Sequence, residues 1–326
     1  MKSICVGIDL GGTFIKFGVL YRDNRGGEVM QLPTPSGGDA VIETMVDGVH
    51  QVLQTSGRSL DDVACVGIGS PGPLDLDAGV ILDAPNLKNM AGFPLRDRLS
   101  DALGLSVVLE NDANAAAMGE FLLGAGEGCR KMVMLTLGTG VGSGIVYNGR
   151  LIHGAHGMGG ELGHVIVAPG GRQCNCGQQG CLEQYCSAHF LAKHAMDRLA
   201  DMDVESSLRD VLQTKPALDA KDIEDAALAG DAFAARAWDE LARMLAVGCI
   251  NICRIFDPER IVIAGGMTKA GHALLEPIER HWSAMDWTLC DRVTELSIAK
   301  LGSDAGAFGA AGVAWQSLED NDDEPM

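Results

Sequence analysis

The chain has 326 residues, of which 47% are hydrophobic, 44 are acidic and 25 are basic, so its formal net charge is −19. This length suits two domains or one large α/β unit, and the hydrophobic content is ample for its core. The negative charge argues against nucleic-acid or anionic-membrane partners. No secretory signal opens the chain, no apolar run approaches the ~20 residues of a membrane span, and seven of the ten cysteines stand singly. We therefore expect a cytoplasmic protein without a disulfide framework.

The predicted elements alternate between strands and helices. A strand, a glycine turn and a second strand open the chain ("SICVGIDLGGTFIKFGVL"), and residues 39–56 have helical apolar spacing. Strands follow in "VACVGIGS" and "LSVVLEND", and "NAAAMGEFLLGAG" predicts a helix that ends at Gly124. "KMVMLTLGTGVGSGIVYNGRLI" repeats the opening pattern. After it come a helix at about 231–254, a strand with a glycine turn in "ERIVIAGGMT" and an Ala/Gly-rich helix at 304–317.

The repeated strand–glycine turn–strand pattern indicates two related α/β halves that face a cleft. We expect a smaller α/β domain at residues 1–112, completed by the C-terminal helix at about 304–318. A larger α/β domain is expected at residues 113–303. The acidic residues of 319–326 are expected to form a solvated tail.

Two glycine turns offer backbone amides to an anion. In the first, Asp9 ends a buried strand just before "GGT" at residues 11–13, where a carboxylate could hold Mg²⁺ and Lys16 could meet a phosphate. The second turn lies in "LTLGTGVGSG" at residues 135–144. Each could be an ordinary hairpin turn, and neither matches the P-loop or the dinucleotide fingerprint. Two such turns in one chain favour a phosphate site between two domains.

A short segment concentrates residues that can hold a metal ion: His164, Cys174, Cys176 and Cys181. One imidazole and three thiolates form a common tetrahedral set for structural zinc, although the CxC spacing is tighter than the usual CxxC. Unliganded thiols and an iron–sulfur site are the alternatives. With no apparent open position, the ion would shape a loop rather than activate water. Two acids, Glu161 and Glu183, flank the set and could accept hydrogen bonds from the hydroxyls of a ligand such as a sugar.

The segment "VVLENDANAAAMGE" ends a strand at Glu110 and begins a helix near Asp112. Asn and Asp are common helix N-caps, so capping alone could account for the pair. Ligands of α/β sheets, however, bind beyond the carboxyl ends of strands. An Asp in that place can accept the proton of an attacking hydroxyl during phosphoryl transfer.

Together these segments resemble the ROK (repressor, open reading frame, kinase) family, and most of all its bacterial glucokinases. The motifs occur in the family's order: "DLGGTFIK", "GIGSPGPLD", "NL" at 86–87, "ENDANAAAMGE", "LTLGTGVGSGI", "GELGH" and "CNCGQQGCLEQ". The similarity runs from about residue 4 to 315. It implies an actin-like ATPase (ribonuclease H-like) fold of two domains, with ATP and a hexose bound in the cleft. It also implies a homodimer or homotetramer and closure of the domains on the sugar.

The resemblance also implies roles for individual residues. Asp112 would be the general base that takes the proton of the sugar's 6-hydroxyl. The sugar's other contacts would be Asn86, Asn111, Glu161, His164 and Glu183. The phosphates of ATP and Mg²⁺ would face Asp9, Gly11, Gly12, Thr13, Lys16, Gly138, Thr139 and Gly140, and Gly265 and Gly266 would border the adenosine. His164 would have two duties, with one ring nitrogen on the structural zinc and the other on the sugar.

The expected reaction is the phosphorylation of glucose by ATP. An N-acetylhexosamine, fructose or allose kinase, or a sugar sensor without turnover, are the alternatives. A purely structural zinc protein has no use for the glycine turns, and polyphosphate is an alternative donor. The family's repressors carry an N-terminal DNA-binding domain, for which a first strand at about residue 4 leaves no room. Many relatives also have a tryptophan soon after "NL", where this chain has "KNMAGF", so the choice of sugar stays open.

Overall fold

A computed structural model describes residues 2–84 and 86–323 of the chain. The chain divides into two compact units. The first comprises the chain up to Arg130, residues 144–159 and the chain from Lys300 onward. The second comprises residues 131–143 and 160–299.

The first unit is an α/β unit with a five-stranded sheet, a two-stranded ribbon and helices. Its elements are β1 (Ile4–Leu10), β2 (Phe14–Tyr21), β3 (Gly26–Pro33), α1 (Gly38–Thr55), β4 (Val63–Ser70), β5 (Leu74–Asp75), β6 (Val80–Ile81), α2 (Leu95–Leu103), β7 (Val107–Asn111), α3 (Asp112–Leu123), β10 (Arg150–Leu151) and α10 (Ala305–Asp323). The predicted opening pair of strands, the helix at 39–56 and the helix that ends at Gly124 are confirmed.

The strand order of this sheet is β3-β2-β1-β4-β7. β1, β4 and β7 run parallel, while β2 returns antiparallel to β1 and β3 antiparallel to β2. In this register Asp9 lies opposite Lys16 on β2 and Gly69 on β4, and Ser70 lies opposite Asn111. The carboxyl ends of the parallel strands therefore meet at one edge, where α/β sheets bind ligands.

The two faces of the sheet are covered in different ways. On one face, apolar side chains of β1 such as Ile8 join the buried core formed with α1 and α2, which includes Met45 and Leu99. On the other, α10 packs directly on the backbone: a Cβ at Gly7 or Gly67 would collide with α10 main-chain atoms. The Ala/Gly composition that predicted this helix therefore serves a close approach between helix and sheet.

The second unit contains strands and a larger set of helices. Its elements are β8 (Lys131–Leu137), the start of β9 (Val141–Tyr147), α4 (Glu183–Cys186), α5 (Ala188–Asp201), α6 (Leu208–Thr214), α7 (Ala220–Leu228), α8 (Ala232–Phe256), β11 (Arg260–Ala264), α9 (His272–Met285) and β12 (Glu295–Ile298). The predicted helix at about 231–254 corresponds to α8, and the predicted strand in "ERIVIAGG" to β11. β11 is parallel to both β8 and β12.

The second five-stranded sheet has the order β10-β9-β8-β11-β12. In both sheets the first strand in sequence is central, its next two strands extend one side, and two later strands extend the other. The repeated sequence pattern thus corresponds to a repeated sheet order. β9 begins in the second unit, and its end and β10 are counted with the first.

The first unit extends beyond the sequence boundary at residue 112. α3 and residues 144–159 belong to it, because α3 packs against α10 and the end of β9 lies along α3, where a Cβ at Gly144 would meet Ala117. α10 continues to Asp323, into the segment expected to be a tail, and residues 324–326 lie outside the described residues. Among the described helices, none combines the length and the apolar character that a membrane crossing requires.

Candidate active site

The first glycine turn joins β1 to β2 and is held closed by main-chain bonds. The Gly11 N–H donates to Phe14 O (3.0 Å), so the segment is a hairpin turn. Thr34, which follows β3, steadies it from outside: its hydroxyl donates to Gly11 O (2.6 Å) and its N–H to Thr13 O (2.9 Å). The turn therefore presents a fixed main chain at the ligand-binding edge of the sheet.

Asp9 is a carboxylate held in an unfavourable environment beside this turn. Burial, and then the negative charge of Asp112, raise the pKa of Asp9 from its usual 3.8 to about 6, while the nearby Lys16 opposes the shift. The start of α10 lies against it, because a Cβ at Gly306 would be 2.6 Å from the Asp9 carboxyl. A carboxylate at a strand end beside exposed main-chain amides suits a magnesium ion with phosphate oxygens.

Lys16 has partners within the first unit. Its ammonium donates to Ser303 O (2.7 Å) and lies 3.7 Å from a carboxylate oxygen of Asp304. These contacts tie β2 to the turn that precedes α10. The structure therefore places the Lys16 charge beside Asp9 but already hydrogen-bonded, and a phosphate contact would share or replace the bond to Ser303.

At the junction of β7 and α3, the helix is capped by Asn111 and not by the neighbouring Asp112. Asn111 is the N-cap: its Oδ1 accepts from the N–H groups of Ala113 (2.9 Å) and Asn114 (3.2 Å). Asp112 is the first residue of the helix, and burial raises the pKa of its carboxyl above the usual value. Asp112 Oδ1 also accepts from the Ala113 N–H (2.9 Å), but the cap itself is supplied by Asn111, so the Asp112 carboxylate can still serve a ligand.

Asn86 lies close to the first glycine turn. A Cβ at Gly12 would be 2.8 Å from Asn86 O and 3.3 Å from its Cβ, so the two backbones pack together. Asn86 itself is exposed. A cavity of about 190 Å³ adjoins both residues and is also lined by Thr34, Val41 and Met90.

In the second unit, the turn between β8 and β9 carries Gly138, Thr139 and Gly140. Gly138 N–H donates to Gly140 O (3.0 Å), and Gly138 O accepts from the N–H that begins α5 (2.8 Å). Directly after the turn, Val141 N–H donates to Glu183 Oε2 (3.0 Å). This bond attaches Glu183, expected as a sugar contact, to the expected phosphate turn.

The "ELGH" segment forms a 3-10 turn over Leu162–His164, with Glu161 in the capping position. The turn is held to β9 through Ser143, whose hydroxyl donates to Gly160 O and accepts from Leu162 N–H (3.0 Å). Glu161 is exposed, whereas Leu162 is buried. The arrangement anchors the backbone and leaves the Glu161 carboxylate open to a ligand.

The four expected metal ligands converge. The ligand atoms of His164, Cys174, Cys176 and Cys181 all lie within 4.8 Å of one another. His164 Nδ1 is 3.7 Å from Cys174 Sγ, and Cys176 Sγ is 3.7 Å from Cys181 Sγ. Tetrahedral zinc with Zn–S bonds of ~2.3 Å and Zn–N bonds of ~2.0 Å holds its ligand atoms about 3.5–3.8 Å apart, which matches these two separations.

The thiols of the set differ in their tendency to ionise, because burial raises the pKa of the Cys181 thiol to about 12. Hydrogen bonds from Gln178 lower the pKa of the Cys176 thiol from 9.0 to about 6, which favours the thiolate at neutral pH. Cys174 N–H donates to Gln178 O (2.8 Å), and Gly177 N–H to Cys174 O (3.1 Å), so the loop is folded by its own backbone. Because His164 presents Nδ1 to the thiols, its Nε2 remains for a second partner.

Gly265 and Gly266 follow β11 and lie beside the end of β8. Gly265 has φ +91°, and a Cβ there would be 2.4 Å from Leu137 O, so only glycine fits. Gly266 begins a short 3-10 turn that ends at Ala270. Gly265 thus lies against Leu137, the residue before the turn that begins at Gly138.

Within each unit the structure brings the predicted residues together. Asp9, residues 11–13, Asn86, Asn111 and Asp112 lie in the first unit, and the remaining predicted site residues except Lys16 lie in the second. Lys16 also belongs to the first unit, where its ammonium donates to Ser303 O. Sequence reasoning missed the supports Thr34, Ser143 and Gly306. Their residue types are common in loops, and no local pattern distinguishes them.

Comparisons with known proteins agree with this arrangement. The family model described as "ROK family" matches residues 5–317. A glucokinase of Halalkalibacterium halodurans is 41% identical over 307 residues, which are 93% of this chain and 92% of that protein. The ROK hexokinase structure from Thermus thermophilus superposes with a TM-score of 0.84 at 35% identity, covering 97% of this chain and 99% of the other.

A ROK family glucokinase from Streptomyces griseus, solved in complex with glucose and AMPPNP, matches with a TM-score of 0.74 at 33% identity, over 96% of this chain and 99% of that one. These likenesses and the repeated sheet order confirm the expected two-domain α/β fold of the actin-like ATPase type. The motifs, the fold and the match along nearly the whole chain show that this protein belongs to the ROK family.

Proposed function

We propose that the protein transfers the γ-phosphoryl group of ATP to the 6-hydroxyl of a hexose, and that the hexose is glucose. The observation that carries this proposal is the junction at Asn111 and Asp112, where Asn111 supplies the cap and burial raises the pKa of the Asp112 carboxyl at the start of the helix. The likeness to a glucokinase and to a glucokinase complexed with glucose and AMPPNP supports the substrates.

In the proposed reaction Asp112 accepts the proton of the 6-hydroxyl as the oxygen attacks phosphorus. A raised pKa brings a carboxylate closer to the working pH, which strengthens it as a base. Most of the remaining catalysis in phosphoryl transfer is positioning and charge stabilisation. The other sugar hydroxyls would be bound by the Nδ2 of Asn111, by Asn86, and by Glu161, His164 and Glu183.

Phosphate binding would use both glycine turns. Asp9 would hold Mg²⁺, with residues 11–13 and Lys16 facing the phosphates from the first unit. Gly138, Thr139 and Gly140 would face them from the second, and Gly265 and Gly266 would border the adenosine. The hydrogen bond from Val141 N–H to Glu183 supports this assignment, because it links a proposed sugar-binding residue directly to the proposed phosphate-binding turn.

Zinc would be held by His164, Cys174, Cys176 and Cys181, and its chemistry would be structural. The ring of His164 would then be oriented so that Nε2 can donate to a sugar hydroxyl, since orientation of one nitrogen fixes the other. The sugar-binding acids and the zinc loop form one segment of the chain, so occupancy by zinc and affinity for sugar should change together.

We further propose that the protein works in the cytoplasm as a homodimer or homotetramer. The ten cysteines are free thiols, which is typical of a reducing compartment. The second unit exposes large apolar side chains at Ile255, Leu289 and Val293, which suit burial against another subunit.

The test is coupled ADP release with Mg-ATP across glucose, N-acetylglucosamine, N-acetylmannosamine, fructose and allose, in wild type and in Asp112→Asn. We expect the highest kcat/KM with glucose. Asp112→Asn should lower kcat by ~10²–10⁴-fold while glucose binding, measured by calorimetry, is kept.

The matched control is Asp101→Asn, an exposed acid of α2 with the same change in charge, which should leave kcat unchanged. Near wild-type turnover by Asp112→Asn would refute the general-base assignment. Another preferred sugar would keep the mechanism and reject glucose. The absence of ADP release with all five sugars would favour a sugar sensor without turnover.

A further inference from the structure

Glu110, the residue before Asn111, is a buried carboxylate with no part in the reaction described above. It is 2% exposed, at the carboxyl end of β7. Burial of a carboxylate is costly unless hydrogen bonds and a compensating charge surround it. Such a residue beside the proposed base calls for a physical reason.

Three donors surround Glu110. Its Oε1 accepts from Asn111 N–H (2.8 Å) and from Asn114 Nδ2 (3.0 Å). Its Oε2 is 2.7 Å from His153 Nε2. The first two donors stand on either side of Asp112 in sequence. Glu110 therefore holds the backbone before Asp112 and a side chain of the helical turn after it.

Of these three partners, His153 is the one whose side chain can carry a charge. The hydrogen bond that His153 donates to Glu110 raises the pKa of the imidazole, which shifts the ring toward its charged form. His153 belongs to residues 144–159 of the first unit, the segment after β10. Its side chain is 38% exposed, whereas that of Glu110 is 3% exposed, so His153 closes the carboxylate off from solvent.

We infer that Glu110 and His153 are a positioning pair for the phosphoryl transfer: a hydrogen bond between an imidazole and a buried carboxylate that fixes the strand–helix junction carrying Asn111 and Asp112. This inference rests on the proposed function, because it assigns the pair to the general base of that reaction. Neither residue needs to touch the sugar. Without the pair, Asp112 would remain chemically competent but would sample orientations away from the hydroxyl.

The test compares His153→Ala and Glu110→Gln with wild type. Turnover of glucose by wild type is measured first, and its absence would refute the proposed function by itself. Given turnover, we expect each variant to lower kcat by ~10-fold or more, with the KM for ATP changed less than about twofold. The control is His281→Ala, which removes another histidine–carboxylate bond, to Asp239 (2.8 Å), in the second unit and should keep kcat.

A double variant separates positioning from general loss of structure. In the Asp112→Asn background the base is already gone, so His153→Ala should cost almost nothing further in kcat, because residues that act as one unit are not additive. A full additional loss in that background would overturn the inference, as would wild-type kcat in His153→Ala. If His153→Ala does not fold, His153→Gln serves as the test, because glutamine keeps a hydrogen-bond donor but cannot carry the imidazole's charge. We expect kcat of His153→Gln to fall at least ~3-fold. A wild-type kcat in His153→Gln would overturn the inference.

Discussion

Asp9 and Asp112 are two acids that the first unit holds partly desolvated and within each other's field. Burial raises the pKa of both, and the charge of Asp112 adds to the shift at Asp9. The folded protein therefore disfavours the charged form of Asp9 that a magnesium site needs. This is the stability cost expected where charge is held ready for a ligand.

The sign of the pH dependence follows from this shift. A pKa raised from 3.8 to about 6 in the folded state stabilises the fold at low pH, and that stability is lost as pH rises from about 4 to about 6. At pH 7.5 without added Mg²⁺, Asp9→Asn should therefore raise the free energy of unfolding by up to ~3 kcal/mol, and the melting temperature should rise with it. The gain should shrink at pH 4, where wild-type Asp9 is largely protonated.

Differential scanning fluorimetry at both pH values provides the measurement. Asp101→Asn, with the same change in net charge on an exposed site, should leave the melting temperature nearly unchanged. A lower melting temperature of Asp9→Asn at pH 7.5 would show that the Asp9 charge stabilises the fold, contrary to the burial argument. Asp9→Asn should also lose phosphoryl transfer, whichever way its stability moves.

The same residues show what a sequence can indicate about a site. The motif "END" predicted that either an N-cap or a base lies at the strand–helix junction, because Asn and Asp serve both purposes. Only the structure shows, through the bonds that Asn111 Oδ1 accepts from two N–H groups of the helix, that Asn111 is the cap. His153 could not be assigned at all, since its contact with Glu110 joins residues far apart in the chain.

At the scale of elements, the convergence of His164, Cys174, Cys176 and Cys181 was the most predictable feature of the candidate site. The ligand types and their glycine spacing indicated zinc before any geometry was known, and the four ligand atoms converge within 4.8 Å. The attachment of Glu183 to Val141 was not predictable, because a carboxylate accepting a distant main-chain N–H leaves no local pattern. Metal motifs are local in sequence, whereas most supports of an active site are not.

We predict that Cys176→Ser lowers both zinc content and sugar affinity. Its thiolate is favoured by a pKa of about 6, so serine removes a ligand that is ready at neutral pH. Zinc, measured by mass spectrometry, should fall from about one per chain to below ~0.2, and the KM for glucose should rise ~10-fold or more because His164 and its turn lose their anchor.

Cys290→Ser is the control, since Cys290 is also an exposed thiol of the second unit but lies outside the ligand set. It should keep zinc and KM. Full zinc content in Cys176→Ser would exclude this residue as a ligand. Loss of zinc with an unchanged KM would separate the metal from sugar binding and contradict the dual role of His164.

At the scale of the whole molecule, the first unit is assembled from distant parts of the chain. The sequence predicted that a C-terminal helix completes the first domain, and α10 does pack on β1, β4 and α3. Hydrophobic periodicity predicts helices and strands but not the contacts between them. The predicted domain boundary at residue 112 was therefore placed at the strand–helix junction and not where the tertiary contacts change. The limits of a compact unit depend on packing between distant segments, such as Gly309 against Ala115 and α3.

This assembly predicts that the loss of stability on C-terminal truncation depends on which part of α10 is removed, and not on the number of residues removed. A chain that ends before Ala305 should lose the fold of the first unit, because the backbone of β1 and β4 at Gly7 and Gly67 would be left uncovered. A chain that ends at Glu319 keeps the buried residues up to Ala314 and should unfold within ~2 °C of wild type.

Hydrogen exchange read by mass spectrometry distinguishes the units. In the longer deletion, β1 and β4 should exchange rapidly while α8 and β11 of the second unit stay protected, since their contacts lie within that unit. Wild-type protection of β1 in the absence of α10 would mean that the sheet and α1 alone form a stable unit. Equal loss of protection in both units would instead show that the chain folds as one cooperative body, in which α10 stabilises the second unit through the first.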